Sequence, residues 1–73
     1  MGLDLPLLAR VYARKRDFPM ADSLFQVALD NQRRYVPETH YDIRTVYGFM
    51  SERYRLEEKH AEAERYARLA QPR

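Results

Sequence analysis

The 73-residue chain contains no cysteine, so neither a disulfide framework nor a thiolate metal site can hold it together. It has only two glycines, which leaves no glycine-rich loop to cradle a phosphate, and neither Ser23 nor Ser51 lies in a nucleophile elbow. No apolar run approaches the roughly 20 residues of a membrane span. The stretch Met1 to Leu8 lacks the charged start and cleavage site of a signal peptide, and the expectation is a cytoplasmic chain with no membrane partner. Large net charge is also missing: 13 basic residues face 11 acidic ones, and the balance of +2 gives no strong field for nucleic acid. The two histidines, His40 and His60, stand on different predicted helices with no HExxH between them, so no metal and no cofactor is expected. His60 is expected to serve packing. A catalytic site would need converging groups in a pocket, and nothing in the pattern supplies them; the chain is not expected to be an enzyme.

What is present is helical periodicity. Asp4 followed by Leu5 and Pro6 predicts a helix start, with Asp as cap and Pro in a first turn whose donor would be unpaired anyway. Leu5, Leu8, Ala9 and Tyr12 then fall on one face, while Leu3, Leu7 and Val11 lie off it. That first helix is apolar on more than one side and wants two neighbours. The cluster Arg14, Lys15, Arg16 closes it, and Asp17 caps a second helix with the stripe Phe18, Ala21, Leu24, Phe25, Ala28, Leu29, running to about Arg34. The short link makes the two helices antiparallel neighbours.

Val36 and Pro37 stop the second helix, and Thr39 with Asp42 resembles a capping box for a third. Its inner stripe is Ile43, Val46, Tyr47, Met50 and Tyr54, and Gly48 in the middle predicts close backbone contact. A fourth helix follows from about Lys59 to Ala70. The turn before it, near Leu56 to Lys59, contains no Gly or Pro and is predicted from repetition alone: Tyr12 and Tyr54, Ala21 and Ala63, and Ala28 and Ala70 are each 42 residues apart. The predicted architecture is all-α, two tandem antiparallel helix hairpins forming a single domain, with repeat one over about 3–36 and repeat two over about 39–71.

The pattern Leu8, Ala9, Tyr12, Phe18, Ala21, Phe25, Ala28 resembles the tetratricopeptide repeat, in the 42-residue variety typified by kinesin light chains. Met50, Ser51, Tyr54, His60, Ala63, Ala67 and Ala70 fill the same slots more loosely. The ordinary repeat has about 34 residues, and the longer one implies about one extra turn in each of two helices. The resemblance implies a superhelical stack whose concave face binds a peptide or partner protein. It places Leu3, Arg10, Ala13 and Arg14 from repeat one, and Thr45, Phe49, Glu52 and Arg55 from repeat two, on that face. Gly48 and Phe49 stand where the kinesin light chain type has paired asparagines.

Two functional expectations follow. One is a recognition module whose concave face takes a peptide, acidic in character given Arg10, Arg14 and Arg55. The other is an assembly element that forms a homo-oligomer, or caps a longer repeat array, through the edge made by Leu3, Leu7 and Val11. Nucleic-acid binding is a third reading, and the tyrosines speak against it: Tyr12, Tyr47 and Tyr54 lie on core stripes, with only Tyr35 and Tyr41 free to stack.

Overall fold

The computed structural model describes residues 4–71, and Leu3 lies outside that range. It contains four helices: α1 (Leu5–Arg14), α2 (Phe18–Arg33), α3 (Tyr41–Leu56) and α4 (His60–Ala70). The carboxylates of Asp4 and Asp17 cap α1 and α2, accepting from the backbone N–H of Leu7 at 3.2 Å and of Met20 at 3.3 Å. Both capped helices have Pro in the first turn.

The α3 cap corrects the sequence reading. His40, not Thr39, is the N-cap, its Nδ1 accepting from the Asp42 N–H at 3.1 Å. Thr39 sits one residue too early to cap, and its carbonyl instead accepts from Arg44 Nε at 3.2 Å. A side-chain acceptor at position 40 serves the same orphan donor that Thr39 and Asp42 imitate in sequence.

The repeat is also visible in the backbone. Arg16 and Glu58, 42 residues apart, take the left-handed conformation at φ 66° and 59°. Each lies between a helix C-cap and the next N-cap, and each turn closes with the same bond: Asp17 N–H to the Tyr12 carbonyl and Lys59 N–H to that of Tyr54, both 2.9 Å. Non-glycine residues rarely adopt this conformation, so its recurrence at the repeat interval marks two copies of one hairpin.

Within each hairpin the helices pack antiparallel, and α3 lies against both α1 and α2, whereas α4 packs on α3 alone. The result is a slab with Cα extents of 31 × 31 × 14 Å. Its core joins Ala9, Ala13, Ala21 and Ala28 to Phe25, Ile43, Val46, Tyr47 and Met50; the alanines let the helices approach, and Phe25, Ile43 and Val46 are the largest fully buried residues. Tyr66 extends this core, stacked on Tyr54 with ring centroids 5.4 Å apart. Tyr47 donates to Glu38 Oε2 at 2.9 Å and accepts from Arg33 Nη2 at 3.1 Å, and the two ends of the α2–α3 connection are thereby tied together. Hydrogen bonds from Arg33 and Tyr47 hold the Glu38 carboxyl below its ordinary pKa.

Two further expectations are corrected. Gly48 makes no close backbone contact, since a Cβ there would stand 3.9 Å from the Ala70 Cβ, an ordinary contact distance. Gly48→Ala is therefore expected to stabilise the chain by up to about 1 kcal/mol through higher helix propensity, raising the melting midpoint by about 4–8 °C. A lower midpoint in a thermal melt contradicts this. His60 is exposed rather than packed. Its repeat counterpart Phe18 is covered by Arg53 of α3, whereas among the described residues no element packs beyond α4.

Candidate functional site: the concave and leading faces

The residues that the resemblance assigns to a concave face stand on α1 and α3. Glu52 lies opposite two arginines: Arg10 Nε donates to its Oε2 at 3.2 Å, and Arg14 Nε and Nη2 both reach its Oε1 at 3.2 Å. The Arg10 guanidinium also lies 5.1 Å from the centre of the Phe49 ring. Thr45 is exposed, with its hydroxyl bonded back to the Tyr41 carbonyl at 2.9 Å. Arg55 is exposed and forms no ion pair among the described residues. Ala13 does not belong to this face: at 2% exposure it is a packing position, because α1 turns it into the junction with its neighbours.

The expected basic edge is thus partly neutralised. Arg10 and Arg14 share one carboxylate, and Arg16 is committed to the Leu56 carbonyl at 3.0 Å, where a cation suits the C-terminal end of α3. Glu52→Gln is expected to raise the affinity of this face for a polyglutamate peptide severalfold at low salt. It should cost less than about 1 kcal/mol of stability, because both ion pairs are substantially solvated. Titration of the variant and parent by fluorescence anisotropy checks this, and unchanged affinity argues against a role for these arginines in binding acidic chains.

A second surface is defined by the repeat itself. Phe49 and Arg53 are among the α3 residues that close hairpin two onto hairpin one. Arg53 is nearly buried, bonded to Asp22 through Nε at 2.5 Å and Nη2 at 2.8 Å and to Glu57 through Nη1 at 2.7 Å, with its guanidinium 4.7 Å from the Phe18 ring and 4.2 Å from the Tyr54 ring. Burial works against its charge, and the hydrogen bonds to Asp22 and Glu57 outweigh burial, so its pKa is raised.

Shifted back by the repeat interval, Phe49 becomes Leu7 and Arg53 becomes Val11. These two are the large apolar α1 residues that stand open, at 47% and 43% exposure. On α2, Met20 and Val27 are likewise exposed, on the side of the helix opposite Asp22 and Phe18, which meet α3. On α1, hairpin one therefore leaves open two apolar side chains at the positions through which α3 packs on hairpin one, whereas the counterparts of Met20 and Val27 in hairpin two, Glu62 and Leu69, are themselves exposed. Sequence periodicity marks Leu7 and Val11 but misses Arg53, Asp22, Met20 and Val27; the repeat shift leads from Val11 to Arg53, and Asp22, Met20 and Val27 carry no such signal.

A cleft of about 1000 Å³ lies between α4 and the α2–α3 connection, lined by Glu38, Arg44, Tyr47, Arg65 and Leu69 among others. Its polar groups are largely satisfied internally: Glu38 by Arg33 and Tyr47, Arg44 by the Thr39 carbonyl. Among the described residues no buried polar side-chain atom lacks a partner, and no three His, Asp or Glu side chains converge as a metal site. No described helix is long and apolar enough to cross a membrane.

The fold and these surfaces define an all-α stack of two helix hairpins with one apolar end face. No family model, curated protein or solved structure matches the chain.

Proposed function

We propose that the chain is a non-enzymatic protein–protein interaction module of tetratricopeptide-repeat type that docks a helical protein surface against the leading face of hairpin one. The observation that carries this reading is the exposure of Leu7 and Val11 at the repeat positions that Phe49 and Arg53 use to hold the two hairpins together. A face built to receive α-helices, and left apolar, favours a helical partner over a small ligand. A cytoplasmic setting goes with this reading, since a cysteine-free chain needs no oxidising compartment.

The concave-face alternative, an acidic peptide held by Arg10, Arg14 and Arg55, has in its favour the alignment of these cations along α1 and α3. It requires the peptide to displace Glu52 from two of them.

Selection against the folded chain from a displayed library of helical hairpins tests the proposal. Binders are expected to enrich and to lose affinity at least tenfold on Val11→Arg, while Glu64→Lys on α4 leaves them unaffected. No enrichment, or binders indifferent to Val11→Arg, contradicts it.

A further inference from the structure

Resting on the leading-face reading, we infer that its partner is a second copy of this chain, paired leading face to leading face about a two-fold axis with α1 antiparallel to its mate. The repeat shows which surfaces could receive the leading face. Inside the molecule, Arg53 meets Phe18 and Asp22, and Phe49 meets Arg10. The same positions in hairpin two are His60, Glu64 and Glu52; the first two are exposed, with Glu64 accepting from Arg68, and Glu52 is held by Arg10 and Arg14. A head-to-tail stack would press Val11 onto His60 and Glu64, desolvating a carboxylate against a methyl surface. It would also leave an open-ended filament. The leading face of another copy offers apolar against apolar and closes the assembly at two chains.

The α1 surface fits that symmetry. Asp4, Leu7, Val11 and Arg14 are spaced three, four and three residues apart, which places them along one side of a helix as the seam residues of a coiled coil are placed. An axis passing midway between Leu7 and Val11 sets Leu7 of each chain against Val11 of the other. The same axis sets Asp4 against Arg14 at both ends of the seam. The charges are complementary and have capacity to spare: Asp4 uses Oδ1 for its cap, leaving Oδ2, and Arg14 reaches Glu52 through Nε and Nη2, leaving Nη1. A parallel pairing would put Asp4 on Asp4 and Arg14 on Arg14. Met20 and Val27 on α2 extend the apolar area beside the seam.

Sedimentation velocity from about 1 to 500 μM is expected to show the chain moving from 8.8 kDa toward twice that mass, and no further. Val11→Arg, which installs at hairpin one the residue that hairpin two carries at this position, should remain monomeric with the same helical circular dichroism. Orientation is read separately from single-cysteine variants, which have no native thiol to compete with. When Leu7→Cys and Val11→Cys chains are mixed and oxidised, the mixed disulfide should exceed either homodisulfide severalfold. A strict monomer throughout this range overturns the inference, and so does crosslinking of Val11→Cys to Glu64→Cys in preference to Leu7→Cys. A monomer that still binds selected hairpins through Val11 removes the second copy and leaves the docking face standing.

Discussion

Arg53→Ala is expected to lower the melting midpoint by about 10–20 °C. The Arg53 side chain is 5% exposed; it joins the hairpins through a two-pronged contact with Asp22 and the Phe18 ring, and within hairpin two it bonds Glu57 and lies over the Tyr54 ring. Removing one member of a buried ion pair costs about 3–5 kcal/mol when the partner is stranded away from water. Here Asp22 and Glu57 keep 44% and 35% of their side-chain surface and can rehydrate, which brings the expected loss to about 2–3 kcal/mol. At about 4–8 °C per kcal/mol for a domain of this size, the shift follows. Arg53→Met, which retains the stem that packs on Phe18 and Tyr54, should recover more than half of it. A midpoint unchanged in Arg53→Ala would mean that the hairpins are held together by the apolar core alone.

Phe25→Ala is expected to have the larger effect, leaving a chain with little helical signal at 25 °C. Phe25 is fully buried on α2, packed among the alanines of α1 and α2 and the branched side chains of α3. Truncating such a ring costs about 3–5 kcal/mol through lost transfer energy and the cavity left behind. A chain of this length has about 4–11 kcal/mol in total and, with a small core, belongs near the lower end. Phe25→Leu should retain the fold at reduced stability. Circular dichroism in a urea titration checks both, and a Phe25→Ala variant within about 1 kcal/mol of the parent contradicts this view of the core.

The elements that the sequence makes legible are those governed by local chemistry and apolar spacing. Asp4 and Asp17 announce their helices because a short acceptor before Leu or Phe and Pro has few other uses. The α3–α4 turn, which has no Gly or Pro, is legible from the repeat interval alone, and Glu58 there reproduces the left-handed turn of Arg16. Other features fail for stated reasons. Thr39 and Asp42 imitate a capping box one residue ahead of the true cap, His40. Ala13 is assigned to the concave face by its slot in the repeat, whereas the packing of a short α1 turns it inward. Arg53 escapes an argument built on apolar periodicity because a guanidinium becomes a core element only when carboxylates and rings, here from α2, α3 and the α3–α4 turn, surround it. Neither Asp22 nor Phe18 is near it in sequence.

The central claim is that Leu7 and Val11 are covered in the working molecule. Methyl NMR with a soluble paramagnetic probe tests it directly, with Leu69 on α4 as an internal control because its exposure in the single chain, 44%, is nearly the same. The account predicts that at high micromolar concentration the Leu7 and Val11 methyls are shielded from the probe while those of Leu69 relax strongly. Equal relaxation at all three sites, in a protein tumbling as a single chain of 8.8 kDa, would contradict it.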